Sequence, residues 1–523
     1  MSSTRSLWYR IFVLCLCLCV GMALVPTAVI AGTDGGTTDD PNRSEGDDTF
    51  LGDDRFESNA SVDVVVRLEE TTLVDVESGS AAEQHLEDHA NETQAPLLEY
   101  AHETAGVDVR ESFWVTNAVV LEVDTDRVDL EELEAIANVE SVHRNFELPA
   151  PEPPAPQAAP ESSPDRTTDA IDSLDVPAVW DEYDTRGGGV RVAVLDTGVD
   201  ADHPDLELYT DDPSDPTSPG GWAAFDEDGE PIEGSTPHDA GTHGTHVSGT
   251  IAGGNASGTQ LGVAPDVELL HGQVLTDEGA TFAQVVAGLE WALEQDADVI
   301  NLSLGTTGTY PELIDPVRHA VESDVVVVGA IGNDGPETSG SPGNVYEAVS
   351  VGAVDHDGEV APFSGGERLE RTAWEDTPGD WPDAYDVPTV VAPGVDIKST
   401  VPAGYARQPG TSMATPHVTG TIALLSAIAP DSDPEDLEAA LVETAQKPDG
   451  DHERASHYGH GIVDAKAAAD AVAHPESTVD PAASEADNDE RADSIAVSPH
   501  LGIGATAGGI GVAIAAFAWR RAR

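Results

Sequence analysis

The stretch Gly410-Thr-Ser-Met-Ala-Thr-Pro-His417 sets a serine between a flexible Pro409-Gly410 pair and a long apolar run, Val418 to Ala429. Pro-Gly predicts a loop and the run a buried helix, so Ser412 is expected where the loop enters the helix, its hydroxyl placed as a nucleophile. A serine alkoxide is hard to form in water. Chemistry at Ser412 therefore requires a base within hydrogen-bond reach, a carboxylate behind that base, and donors for an oxyanion.

Three windows upstream offer these groups. In Arg191-Val-Ala-Val-Leu-Asp196-Thr-Gly198 a buried strand ends in a carboxylate, at the kind of parallel-sheet edge where sites form. Asp-Thr-Gly also suits an aspartic protease, but that chemistry needs two carboxylates sharing a proton and the chain has no second copy. In His243-Gly-Thr-His246-Val-Ser-Gly-Thr, small residues flank two histidines at the expected start of a helix. Zinc is the competing reading, and the His-Glu-x-x-His spacing that supplies two ligands and a base is missing. In Ala330-Ile-Gly332-Asn333-Asp-Gly, an amide side chain follows a buried strand.

Asp196, His243 and Ser412 stand in the order Asp, His, Ser found in subtilisins. The block 166–473 resembles a subtilisin-family serine protease, and its acidity makes it similar to the halophilic halolysins. The resemblance implies an α/β fold, a parallel sheet with helices on both faces. It implies that Ser412 attacks the scissile carbonyl, His243 carries the proton, Asp196 orients and stabilises the imidazole, and Asn333 joins the Ser412 backbone N–H at the oxyanion. His246 and His417 match structural positions. Ser303-Leu304-Gly305 resembles the strand that pairs with an extended peptide substrate, and Ala330, Ile331 and Gly332 one wall of the first pocket. Asp334 there either favours basic side chains or is ordinary surface. Calcium is the implied cofactor, with Asp205 as a carboxylate ligand and the loop 254–260 supplying carbonyls. Ala256 stands where the family has an asparagine ligand, so the match is incomplete. Two stretches read as insertions, 210–235 and 366–387, each near the active-site windows and able to restrict access.

Length alone suggests roughly two to four units. With 98 acidic residues against 23 basic ones and a net charge of -75, a phosphate-binding surface and a nucleic-acid partner are excluded as default roles. The 39% hydrophobic content, in strand-like runs, argues for an acidic surface on a folded core rather than disorder. The lysines are Lys398, Lys447 and Lys466 alone, and salt is expected to screen the self-repulsion. Cys15, Cys17 and Cys19 all lie in the first apolar run, so the folded part carries no disulfide.

In chain order, Arg5 and Arg10 precede the apolar run 11–31, read as a signal peptide (1–31) or an uncleaved anchor; paired arginines for a twin-arginine signal are absent. Residues 32–59 are an acidic spacer. Residues 60–147 read as strand (62–68), helix (81–104), one or two strands (113–123), short helix (130–137) and a strand at Val142, a small α+β ferredoxin-like module. The family resemblance makes it an inhibitory propeptide, the protein's own partner until it is cut away. Residues 148–165 form a Pro-rich linker, with the cut expected between Arg144 and Arg166. Predicted strands of the larger block are 190–195, 298–304, 325–330, 349–354 and 389–392, with helices over 282–294 and 311–323. An acidic linker (474–500) leads to 501–519, a transmembrane segment or a sorting tail, and a basic terminus (520–523). The expected protein is an exported endopeptidase acting on polypeptides, secreted or tethered outside the membrane; a catalytically silent scaffold on the same fold is the alternative.

Overall fold

The computed structural model describes residues 61–73, 79–149, 157–158, 167–210, 220–276, 279–374, 377–447 and 455–474. The leader, the spacer and the segments from 475 onward lie outside the described residues. No helix among the described residues is long and apolar enough to cross a membrane.

The N-terminal module comprises β1 (Ser61–Leu68), α1 (Ser80–Glu103), β2 (Val107–Phe113), β3 (Ala118–Asp124), α2 (Leu130–Glu134) and β4 (Val139–Arg144). Its strands lie in the order β2-β3-β1-β4, all neighbours antiparallel. Both faces of this sheet are covered. Val64 and Val66 face the module's own core with Leu97 and Leu121, while Val65 and Val120 point the other way, into the core of the larger block. That is the period of two expected of a strand, here with two apolar sides. The strand expected at Phe113 begins earlier, at Val107, because the hairpin turns at Trp114–Asn117. Leu148, expected to open the linker, is instead fully buried in β5 (Glu147–Leu148). In the linker itself, Gln157–Ala158 pairs with Ala406 and Arg407.

The larger block is built on β6 (Arg191–Asp196), β7 (Trp222–Ala224), α3 (His243–Ala252), β8 (Glu268–Gln273), β9 (Ala280–Thr281), α4 (Phe282–Glu294), β10 (Val299–Leu302), α5 (Ile314–Glu322), β11 (Val326–Ala330), β12 (Val349–Val354), β13 (Glu367–Glu370), β14 (Ala384–Val387), β15 (Val390–Pro393), β16 (Ile397–Val401), β17 (Gly404–Gln408) and α6 (Thr411–Ile428). Seven strands form one parallel sheet in the order β15-β12-β11-β10-β6-β8-β7. Val192 and Val194 of β6 face the side holding α3 and α6, and Ala193 and Leu195 the side holding α4 and α5. Helices on both faces make its strands continuous apolar runs.

Two strands of the parallel sheet escaped the sequence reading. In β8, Glu-Leu-Leu-His-Gly-Gln carries too many polar residues to read as a buried run, and β7 has three residues inside the stretch taken as an acidic loop. The helix expected over 311–323 opens with a 3-10 turn at Pro311–Leu313. The second insertion is a hairpin, β13 with β14. Its approach is hydrogen-bonded to the 332–338 segment, Gly365 N to Gly332 O (3.0 Å) and Glu337 N to Gly366 O (3.0 Å), so it buttresses that segment.

Candidate active site

Asp196, Ser303 and Asn333 follow or end β6, β10 and β11, and all therefore lie at the carboxyl edge of the parallel sheet. His243 is the first residue of α3 and Ser412 the second of α6, so two helix N-termini converge on the same edge. Close approach is built in by glycine. A Cβ on Gly244 would stand 2.2 Å from Gly198 O, and one on Gly198 2.0 Å from His238 O.

Asp196 is fully buried, and its Oδ1 accepts from His243 Nδ1 (2.7 Å) and from Thr197 N (2.7 Å). Burial alone pushes the His243 pKa down; the Asp196 charge, the hydrogen bond to it and the Asp239 charge outweigh this, and the net shift from 6.5 is upward. Both Asp196 and His243 are thus brought together as expected.

Ser412 is 5% exposed, and its hydroxyl donates to Ser303 O (3.1 Å). The reverse bond also exists: Ser303 Oγ donates to Ser412 O (3.0 Å). Pro416 explains it. Pro416, four residues after Ser412, has no N–H for the Ser412 carbonyl, and the Ser303 hydroxyl supplies the missing donor. Asn301 Nδ2 in turn donates to Ser303 Oγ (2.9 Å), and Thr419 Oγ1 to Asn301 Oδ1 (2.9 Å), locking β10 to α6 beneath the nucleophile.

Asn333 is exposed, and its Oδ1 accepts from Thr411 N (2.9 Å) and Thr411 Oγ1 (3.1 Å). With the oxygen held by the first turn of α6, the amide NH2 is the group left to face the cleft beside the Ser412 N–H, an amide that a helix start leaves without an internal acceptor. Of the expected substrate-binding residues, Leu304, Ala330 and Ile331 are buried. Gly305 (φ 155°) and Gly332 (φ 109°) take backbone conformations that suit glycine. Asp334 accepts a hydrogen bond from the Thr307 hydroxyl. His246 and His417 are buried and bonded to the carbonyls of Ile397 (2.9 Å) and Met413 (2.9 Å); burial holds their pKa values down at about 3 and about 4, so both are neutral structural donors.

One residue that the sequence reading missed ties the two halves of the site. Asp239 Oδ1 accepts from Thr197 Oγ1 (3.0 Å) and Gly241 N (3.0 Å), and its Oδ2 from Thr245 N (3.0 Å) and Thr245 Oγ1 (2.6 Å). It clamps the end of β6 to the start of α3. In so acidic a chain one more aspartate carries no signal, although its place four residues before His243 is a usable one.

Asp205 is buried near the loop 254–260. Its Oδ2 accepts from Tyr405 OH (2.6 Å), its Oδ1 from Ala256 N, and its backbone O from Gly254 N (2.8 Å). Burial and this bond push the Tyr405 pKa up to about 12. The carbonyls of Gly253, Gly254 and Asn255 accept from Gly262, Leu261 and Gly258. A calcium cage needs six to eight converging oxygens. Asp205 and the carbonyls of Gly254 and Asn255 meet N–H and O–H donors, so holding calcium here would require Asp205 to give up Tyr405 and the Ala256 amide.

A model for the family described as subtilase matches residues 187–461. The chain is 39% identical over 281 residues to an intracellular serine protease of Paenibacillus polymyxa, covering 51% of this chain and 75% of that protein. It is 36% identical over 306 residues to subtilisin E of Bacillus subtilis (57% of this chain, 70% of the relative) and 36% identical to a subtilisin of Bacillus pumilus (57% and 97%). The parallel sheet, the Asp196–His243 pair at its edge and these matches agree, and the chain belongs to the subtilase family as a subtilisin-like serine endopeptidase.

Proposed function

We propose that the protein is made as a self-inhibited precursor and hydrolyses peptide bonds through Ser412, His243 and Asp196, with Asn333 and the Ser412 N–H receiving the oxyanion. The observation that carries the catalytic reading is the 2.7 Å bond from His243 Nδ1 to a fully buried Asp196 at the sheet edge where Ser412 begins its helix. For attack, the Ser412 hydroxyl held on Ser303 O has to turn to His243 Nε2 by rotation about its Cα–Cβ bond. The Ser303 carbonyl is then free to accept a substrate N–H, which couples substrate docking to presentation of the nucleophile. His243 takes the Ser412 proton as Oγ bonds to the scissile carbon, and the oxygen's negative charge falls to Asn333 Nδ2 and the Ser412 N–H. Collapse of the tetrahedral adduct breaks the C–N bond, with His243 returning the proton to the leaving amine. Water, deprotonated by His243, then releases the acyl group.

The inhibitory role of the N-terminal module is supported by how it docks. Glu290 on α4 accepts from Trp114 N (2.9 Å) and Val115 N (3.1 Å), His319 Nδ1 on α5 bonds to Val115 O (2.7 Å), and Arg67 pairs with Asp315. Beyond β4 the chain pairs antiparallel with β9, Leu148 opposite Ala280, next to the core that holds Leu304. A segment that adds a strand at the rim of the cleft is bound as a substrate would be. The apolar run 11–31 supports export, and 501–519 a membrane tether or a sorting tail. The surface charge supports work in high salt.

The test is intact mass and peptidase activity of the precursor expressed without residues 1–31 and 500–523, in molar salt, beside Ser412→Ala. Loss of the N-terminal 110 to 140 residues (roughly, from the linker position) with peptide cleavage by the wild type alone sustains the reading. A folded wild type that neither takes up a fluorophosphonate nor cleaves overturns it.

A further inference from the structure

Behind Asp196 lies a buried histidine that the chemistry above does not use. His271 on β8 is in register with Val194 of β6, so its side chain shares the sheet face that carries Asp196. Both residues are 0% exposed. The imidazole is held on three sides. Ser248 Oγ of α3 lies 3.0 Å from its Nδ1, and the Trp222 indole is stacked on it with centroids 6.0 Å apart and planes at 18°. The third side is Gly244, beside the catalytic His243, where a Cβ would come within 3.0 Å of His271 Cε1.

Two buried polar atoms here have no hydrogen-bond partner among the described residues, Asp196 Oδ2 and His271 Nε2. Burial holds the His271 pKa down at about 4 against the opposing pull of Asp196, so the ring is neutral near pH 7. Assigning the Ser248 hydroxyl as the donor to Nδ1, the tautomer on which the proposal below rests, puts the ring's one proton on Nε2. One orphan is therefore a donor and the other an acceptor. Buried polar groups left unpaired are costly, and a shared water is the usual remedy where two such atoms meet.

We propose that His271 is a positioning residue for Asp196, its Nε2–H supplying, through one shared buried water, the hydrogen bond that Asp196 Oδ2 lacks. This rests on the catalytic reading of Asp196 and His243. A donor on Oδ2 keeps Oδ1 turned to His243 and tempers the basicity of the carboxylate. Trp222, from the stretch that reads as an inserted acidic loop, then has a role behind the site: it fixes the plane of His271. The titratable and charged groups around the pair are Asp196 from β6, His243 from α3, and His238 and Asp239 from the chain leading into α3. His238 touches Trp222 (5.7 Å between centroids) and Gln273 (3.4 Å), while Asp239 is bonded to Thr197 and Thr245.

The experiment compares His271→Leu, His271→Gln and Ser248→Ala with the wild type, all as matured enzyme. Fluorophosphonate uptake counts active sites and thermal unfolding reports the fold. His271→Leu is expected to lower kcat per titrated site about tenfold with KM unchanged. It should also move the acid limb of the kcat/KM profile upward by about half a pH unit, since an Asp196 without its donor pulls harder on the His243 proton. His271→Gln, which keeps a neutral donor, recovers most of both. Should His271→Leu fail to fold, Ser248→Ala leaves the ring in place while freeing its tautomer, and shifts the limb in the same direction. An acid limb unmoved in all three variants overturns the proposal, as does equal loss of kcat in the Leu and Gln variants, the mark of packing alone. A wild type inert to fluorophosphonate overturns the catalytic reading and this role with it.

Discussion

Asn333 and Asp239 bracket the site from opposite sides, one holding the start of α6 and the other the start of α3. Their removal is expected to leave different signatures. In the proposed mechanism Asn333→Ala takes away an oxyanion donor, while the Thr411 N–H that bonded it turns to water. It should cost about 2.7–4 kcal/mol of barrier, on the order of 10²–10³ in kcat, with KM little changed; steady-state kinetics on a peptide anilide decide it. Asp239→Asn keeps most of the clamp but removes a negative charge that favours the protonated imidazole. The His243 pKa, held above 6.5, then falls, and the acid limb of kcat/KM moves to lower pH, opposite to the shift expected for His271→Leu. Opposite signs from two neighbours cannot come from general damage to the fold.

Among the elements, α4 touches both the parallel sheet and the N-terminal module. Its face toward the sheet fills the core with Val285, Val286 and Leu289, and its Thr281–Gln284 capping box starts it sharply at the rim of the cleft. Its Glu290 turns outward to the backbone of the module. Burial pushes that carboxyl well above the usual carboxylate range, against the pull of the two amides. Glu290→Ala in the Ser412→Ala precursor leaves the Trp114 and Val115 amides without acceptors. It is expected to weaken docking by about 1–3 kcal/mol for each buried amide left unsatisfied. Hydrogen exchange of β2 and β3 should accelerate while that of the large sheet does not. The β13–β14 hairpin serves α5 in a comparable way, through Arg318 bonded to Asp380 (2.9 Å) and Trp381 Nε1 bonded to Glu347 (2.7 Å).

Over the entire protein, 98 acidic residues face 23 basic ones. Repulsion over many spacings is felt where the Debye length is about 10 Å, near 0.1 M salt, and is cut off at about 3 Å near 1 M. The melting temperature is therefore expected to fall steadily as NaCl is diluted from molar to tenth-molar, with uncharged osmolytes failing to restore it. Calcium should matter less. Because Tyr405 and the Ala256 amide satisfy Asp205, an excess of EGTA at constant molar NaCl is expected to leave the melting temperature within about 2 °C, the effect of less than about 1 kcal/mol in a domain this size.

The strands 190–195 and 349–354, the helix 282–294 and the positions of Asp196, His243, Asn333 and Ser412 could all be read along the chain, because each depends on a local pattern. Continuous apolar runs mark a sheet covered on both faces, and small residues beside a polar one mark a tight approach. The roles of β7 and β8, of Asp239, and of the Ser248–His271 pair could not be read, since each depends on partners far away in sequence. His271 is an ordinary polar residue in a weak strand until β8 lies beside β6 and Trp222 closes over it. The same holds for Ser303, whose hydroxyl has meaning only against the carbonyl that Pro416 leaves bare. Local sequence sets which chemistry is available; packing removes water from it and so fixes which proton, donor and carboxylate act on one another.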